Sequence, residues 1–96
     1  MFRIIREDHP RHILVTIEGW LTAESVETAE TACNAALQTN VPVTVFLKDI
    51  VEIDMDGRAF LMRMSMRKAR LRAVGVYSRY IVGKLRSRRD LRDRSV

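Results

Sequence analysis

Residues 41–47, VPVTVFL, form a nearly continuous apolar run of strand length. Such a run suits a central strand that is covered on both faces. Asn40 and Pro42 break the helical pattern that precedes it, and a stretch of helix-forming composition follows at residues 58–68. A buried strand between two helices predicts an α/β domain.

The chain begins with a predicted β-hairpin. Residues 2–6 and 13–18 are rich in β-branched side chains and are separated by a polar segment that contains Pro10. Three apolar residues of the second strand share one face: Ile13, Val15 and Ile17. This alternation predicts a strand with one buried face that ends at Gly19.

A first helix is predicted over residues 23–38. Thr22 stands where an N-cap belongs, and Glu24 and Glu27 lie near the positive end of the helix dipole. Apolar residues recur at three- and four-residue spacing in a narrow stripe: Val26, Ala29, Cys33, Ala36 and Leu37. The opposite face is acidic, as on a surface helix.

The remaining elements follow the central strand. Asp54 or Asp56 stands where a cap belongs for the helix over residues 58–68. Residues 69–76 alternate apolar side chains with arginines, which predicts a strand, and a last helix starts at about Arg79 behind a Ser78 cap. Its apolar positions are Tyr80, Ile81, Val82 and Leu85.

The predicted order is β-β-α-β-α-β-α, in one α/β domain over residues 1–85. The sheet is mixed, with about four strands, and three helices accompany it. Residues 86–96 form a basic tail with almost nothing to bury, so we expect frayed helix or disorder there.

The composition is that of a small globular protein, with 96 residues, 47% of them apolar and 30% charged. No stretch approaches the roughly 18 apolar residues of a bilayer span, and the start lacks the apolar core of a signal peptide, so we expect a cytoplasmic location. The single cysteine, Cys33, excludes an internal disulfide and is expected to be buried.

Charge is divided unevenly along the chain. Residues 1–57 carry four basic and ten acidic side chains, a net of −6, whereas residues 58–96 carry thirteen basic and two acidic ones, a net of +11. Opposite halves of two copies would attract each other, which keeps a homodimer among the alternatives.

No pattern indicates catalysis or a cofactor. His9 and His12 flank Pro10 without the further ligands that zinc needs. The serines lie outside any G-x-S-x-G sequence, and the four glycines form no phosphate-binding motif. We therefore expect no enzyme activity, no metal site and no cofactor.

Methionines cluster around the second helix: Met55, Met62, Met64 and Met66. At about 100° per residue, Phe60, Leu61 and Met64 face the core together, whereas Met62 and Met66 fall on a separate stripe. Flexible methionine side chains suit an adaptable protein-binding surface, and three arginines would border it: Arg58, Arg63 and Arg67. The alternative is that Met62 and Met66 belong to the core or lie under a neighbouring loop.

The basic second half of the chain also permits a nucleic-acid hypothesis. In it, the tail from Arg86 to Arg94 would bind phosphates in a salt-dependent way. No aromatic residue beyond Phe60 interleaves with the arginines of the second helix, so stacking on bases is not indicated.

Three segments follow a known pattern. Residues 13–22, ILVTIEGWLT, look like a strand followed by G-x-L and a capped helix. Residues 43–57, VTVFLKDIVEIDMDG, look like a central strand, a loop and a D-S-S-G turn, and residues 70–76, RLRAVGV, look like the next strand. Together they resemble the STAS domain, the fold of bacterial anti-sigma factor antagonists and of the cytosolic domain of sulfate transporters.

The resemblance implies a non-catalytic regulatory module that binds another protein through the turn and the exposed side of the following helix. The implied partner is an anti-sigma factor or a regulatory kinase, or the ATPase of an ABC lipid transporter, for which STAS-like accessory subunits are known. The turn motif, the methionine cluster and its arginine border together give the predicted partner-binding residues: Asp54, Met55, Asp56, Gly57, Arg58, Met62, Arg63, Met66 and Arg67.

One departure from the family pattern concerns regulation. In the antagonists, the residue after the motif aspartate is a serine that the partner kinase phosphorylates. Here that position is Met55, which has no hydroxyl group, so we expect the usual phosphorylation switch to be absent. Asp56 follows at the helix N-terminus as a weaker electrostatic substitute, with one charge where a phosphate carries about two.

Overall fold

The computed structural model describes residues 1–75 and 78–85. Its elements are β1 (Phe2–His9), β2 (His12–Leu21), α1 (Ala23–Leu37), β3 (Val43–Ile53), α2 (Met55–Met66) and β4 (Arg70–Ala73). Residues 78–85 are helical and form the described part of α3. The predicted order of elements is confirmed, and the predicted tail over residues 86–96 lies outside the described residues.

The four strands form one mixed sheet in the order β1-β2-β3-β4. β1 and β2 are an antiparallel hairpin, whereas β2, β3 and β4 run parallel to one another. The carboxyl ends of the parallel strands therefore meet at one edge of the sheet, from which α1 and α2 begin. We call this the carboxyl edge.

The core lies between the sheet and the helices. Alternate residues of the two interior strands are buried: Ile13, Val15 and Ile17 of β2, and Val43, Val45 and Leu47 of β3. The predicted stripe of α1 supplies Ala29, Cys33 and Ala36, and α2 supplies Phe60, Leu61 and Met64. Cys33 is fully buried, and burial raises the pKa of its thiol to about 12.

The second face of the sheet differs from the prediction. Thr16 of β2 is also buried, because its cross-strand neighbours are Ile5 and Phe46, whose side chains stand beside it. Conversely, Thr44 and Phe46 of β3 are only half-buried, so the central strand is fully covered on one face alone.

Irregular pairing explains why two strand ends were predicted wrongly. β2 does not end at Gly19 but continues to Leu21, and β3 continues to Ile53, where a loop was predicted between the apolar run at residues 41–47 and the turn. The register shifts on both sides of Gly19, whose φ is 91°, and Asp49 of β3 has a φ of 50°. Because such bulges interrupt the alternation of faces, the sequence reads as loop where the strands persist.

Smaller differences concern the later elements. α2 begins at Met55 rather than Arg58, and β4 ends at Ala73. Tyr80, predicted among the apolar positions of the last helix, is 57% exposed, while Ile81 and Leu85 of that helix are buried. Among the described residues, no helix has the length and apolarity needed to cross a bilayer.

Candidate docking surface

Asp54 connects the N-termini of two helices at the carboxyl edge. Its Oδ1 accepts a hydrogen bond from the backbone N–H of Gly57 at 2.8 Å, which caps α2. Its Oδ2 accepts one from the backbone N–H of Ala23 at 2.9 Å, in the first turn of α1. These bonds, the one from Gly57 first, hold the pKa of Asp54 below its usual value. Of the two residues predicted as possible caps, Asp54 is therefore the N-cap of α2.

Gly57 allows α2 to approach β2 closely. A Cβ placed on Gly57 would lie 2.2 Å from the backbone oxygen of Leu21 and 2.9 Å from a side-chain methyl carbon of Ile53. Neither a backbone oxygen nor a buried side chain has room to yield at such distances. Asp54 and Gly57 thus fix the position of the turn, and the residues between them, Met55 and Asp56, are exposed.

The outer face of α2 carries an apolar stripe. It consists of Met55, Ala59, Met62 and Met66, which fall within about 60° of one another around the helix axis. Met55 is 86% exposed and Met66 is 53% exposed, whereas Met62 is half-buried against the core. The alternative that both Met62 and Met66 belong to the core is thus wrong for Met66. We call these four residues the methionine stripe.

On the side facing α1, two arginines are held by α1 side chains. Arg63 donates two hydrogen bonds to the carboxylate of Glu30, at 2.7 and 2.9 Å, and the pair lowers the pKa of Glu30. Arg67 donates to the side-chain oxygen of Asn34. Contacts within the chain therefore hold this border of the stripe, which we call the α1 flank.

The opposite border, which we call the α3 flank, carries Arg58 and Lys84. The Nζ of Lys84 lies 4.9 Å from the ring centre of Tyr80. The hydrogen bond and charge of Lys84, with a smaller contribution from Arg58, lower the pKa of Tyr80. Within residues 1–75 and 78–85, neither Arg58 nor Lys84 forms an ion pair with a carboxylate.

Trp20 and Val51 are exposed apolar residues at the carboxyl edge that were not singled out from the sequence. Trp20 is 49% exposed and Val51 is 68% exposed. Trp20 lies opposite Glu52 across the sheet, and strand alternation turns it away from the buried Leu21 beside it. The alternation of side chains along β2 could therefore have predicted the exposure of Trp20. Val51 lies in the irregular stretch of β3, where alternation does not predict which face of the sheet a side chain lies on.

The other candidates considered in the sequence lie away from this surface. His9 and His12 stack at the hairpin turn with ring centres 4.6 Å apart, and both are exposed. Across the described part of the chain, no three potential metal-ligating side chains come together.

A cavity of about 380 Å³ opens at the end of β4. Its described lining is Arg72, Ala73, Arg79, Val82 and Gly83.

Comparison with known proteins identifies the fold. No protein-family model matches the chain, and no curated protein matches it in sequence. Among solved structures, the anti-sigma factor antagonist SpoIIAA in its unphosphorylated form superposes with a TM-score of 0.62 at 14% identity, over 84% of this chain and 80% of SpoIIAA. The chain has a SpoIIAA-like, STAS-like fold.

Two further structures are similar to this SpoIIAA-like chain. One is an uncharacterised protein of the DUF3478 family from Shewanella loihica PV-4, with a TM-score of 0.55, 14% identity, and coverage of 78% of this chain and 66% of that one. The other is Mglu, with a TM-score of 0.55 and 19% identity over 75% of this chain. The match spans only 19% of the length of Mglu. At these identities the similarity shows the fold alone.

Proposed function

We propose that this chain is a non-catalytic regulatory module that docks onto another protein through the methionine stripe and the turn that Asp54 and Gly57 hold. The observation that carries the proposal is the exposure of Met55 and Met66 on the outer face of α2. Large apolar side chains grouped on one exposed helix face are typical of an interaction site, and methionine adapts its shape to a partner.

The proposed partner is an anti-sigma factor or a regulatory kinase. The fold similarity to SpoIIAA, which is an anti-sigma factor antagonist, supports this class. The ATPase of an ABC lipid transporter is the alternative partner that the STAS-like resemblance implies. Either partner would be met in the cytoplasm, where we propose that the chain works.

Docking would not be switched by phosphorylation at the usual position. Met55 offers no hydroxyl group, and both carboxylate oxygens of Asp54 accept hydrogen bonds from the two helix N-termini. Asp56 places a permanent single negative charge in the first turn of α2. We therefore propose constitutive binding, or control that acts on the partner.

Affinity capture from a lysate of the native host tests the proposal, at about 50 mM and about 200 mM salt with nuclease added. Met55→Glu and Met66→Glu should each weaken recovery and affinity of the captured protein by about tenfold or more, because a charge on the stripe would be desolvated on docking. Ala35→Glu is the matched control, since Ala35 is exposed on α1 and outside the stripe.

Retention of the same partner by both methionine variants, with circular dichroism showing intact folds, would contradict the proposed surface. Loss of every partner on nuclease or salt treatment would instead favour binding of nucleic acid by the basic tail. A combined change of Met62 and Arg63 to glutamate is less clean, because Met62 packs against the core and Arg63 is paired with Glu30.

A further inference from the structure

We propose that the partner element that covers the methionine stripe is an amphipathic α-helix whose acidic side chains lie along the α3 flank. This inference rests on the proposed function and adds the chemistry of the partner to it. It follows from the spacing of the stripe and from the unequal charge of its two flanks.

The spacing fits a helix. Along the stripe, Met55, Ala59, Met62 and Met66 follow one another at intervals of four, three and four residues. This is the interval pattern of the apolar positions in paired helices, and a helix docks on such a face through residues that repeat in the same way. Ala59, the smallest side chain of the stripe, is exposed between Met55 and Met62, so a larger side chain of the partner would have room to pack there.

The α1 flank offers little net charge to a partner. Arg63 is paired with Glu30, Arg67 is held by Asn34, and the two carboxylates of Glu30 and the exposed Asp56 balance the charges of the two arginines. A charged residue of the partner placed over this flank would compete with the existing hydrogen bonds and would add little to the binding free energy.

The α3 flank is different because Arg58 and Lys84 are both exposed and have no carboxylate partner among the described residues. The Nζ of Lys84 lies over the ring of Tyr80, and Arg58 borders the methionine stripe on α2, where its charge also contributes to the lowered pKa of Tyr80. Acidic side chains on one edge of a docked helix would meet them both, while its apolar residues cover the stripe.

A second copy of the chain fits less well. Its own α2 would bring an equally cationic α3 flank and an α1 flank whose charges are already balanced. Neither relative direction of the two helices therefore supplies a surplus of carboxylates to Arg58 and Lys84. The charge distribution favours a helix from a different, acidic protein over self-association.

Two synthetic peptides test the inference on the full chain. Each has about three heptads with leucine at positions a and d, and all e and g positions are glutamate in one and lysine in the other, so that like charges keep both peptides monomeric. Fluorescence anisotropy at low salt should show at least about tenfold tighter binding of the glutamate peptide. Met66→Glu should weaken binding of both peptides.

The matched variant exchanges the charges of the flank. Arg58→Glu combined with Lys84→Glu should reverse the preference, so that the lysine peptide binds more tightly. Both residues are exposed, so the fold should survive. Equal binding of the two peptides, binding of neither, or a preference that the double variant leaves unchanged would overturn the inference. So would a dimer, detected by sedimentation, that Met66→Glu dissociates.

Failure of this inference differs from failure of the proposed function. If Met66→Glu abolishes capture of the native partner but the peptides show no charge preference, docking stands and the acidic helix is wrong. If capture is insensitive to Met55→Glu and Met66→Glu, the docking surface itself is wrong, and the peptide result then describes an incidental affinity of the stripe.

Discussion

The carboxylate of Asp54 accepts a hydrogen bond from the backbone N–H of Ala23 at 2.9 Å, across 31 positions of sequence, while its other oxygen caps its own helix at Gly57. One side chain therefore sets the relative position of the N-termini of α1 and α2. The proposed docking surface depends on this relationship, because it fixes the positions of the exposed Met55 and Asp56.

Replacing Asp54 should destabilise the fold in proportion to the hydrogen bonds that are lost. Asp54→Ala removes both caps and should lower the melting temperature by roughly 5–10 °C. Asp54→Asn keeps one acceptor oxygen, so its melting temperature should lie between those of Asp54→Ala and the wild-type chain. Thermal unfolding followed by circular dichroism measures this. Asp56→Ala is the control, and an equal loss in that variant would refute the double-cap role of Asp54.

The contribution of the Asp54 carboxylate to the free energy of unfolding should be lost in acid. The hydrogen bonds from Gly57 and Ala23 lower its pKa in the folded state, so between that value and the unfolded pKa of about 3.9 the unfolded chain binds more protons. This stabilisation is present above the unfolded pKa and is lost as the pH falls through the folded one.

The difference in urea midpoint between the wild-type chain and Asp54→Asn should therefore shrink from about pH 7 to about pH 2.5. Asp8 and Glu30 also have lowered pKa values, because of Arg6 and Arg63, but those groups are the same in both chains and cancel in the comparison. A difference that stays constant with pH would count against the hydrogen-bonded carboxylate.

Two glycines should respond in opposite ways to alanine. Gly57→Ala places a Cβ 2.2 Å from the backbone oxygen of Leu21 and should cost about 2 kcal/mol of unfolding free energy. Gly83→Ala meets nothing within 4 Å on α3 and should stabilise by about 0.5–1 kcal/mol, because alanine is the better helix former. Urea denaturation compares them, and similar effects at both sites would show that the contact at Gly57 is not the cause.

The ion pair of Arg63 with Glu30 should matter little for stability. Its side chains are 47% and 28% exposed, so solvent screens the charges, and Glu30→Gln should cost about 0.5 kcal/mol. Arg63→Glu places two carboxylates together and should cost more, and adding Glu30→Arg should restore part of the loss. A double-mutant cycle in urea measures the coupling; a cycle with no coupling would mean that the pair is not formed in solution.

Cys33 should be inert in the folded chain. It is fully buried with its pKa raised to about 12, so almost no thiolate exists near neutral pH. Alkylation by iodoacetamide, followed by mass spectrometry, should be negligible until denaturant is added. Met66→Cys supplies an exposed thiol as the positive control, and equally rapid labelling of both sites would show that the packing of α1 is wrong.

The order of elements and most of the core were predictable from the sequence. The runs around residues 13–17 and 43–47 alternate or cluster apolar side chains, and the stripe from Ala29 to Ala36 repeats at helical spacing. These signals are local, because burial of one face imposes a period of two or 3.6 on the sequence that forms it. The methionine cluster and its arginine border were recognisable for the same reason.

The α/β class, the hairpin and the core faces thus follow from local sequence patterns, whereas the exposure of Met55 and Met66 and the half-burial of Met62 became known from the fold. In the tertiary structure, the packing of distant elements also settles which carboxylate caps α2, which arginines are bonded to α1, and which cations of the α3 flank have no carboxylate partner among the described residues. The persistence of β2 and β3 beyond Gly19 and Lys48 was also decided there. The reason is physical: these properties depend on distances between residues about thirty positions apart, and no local period records such a distance.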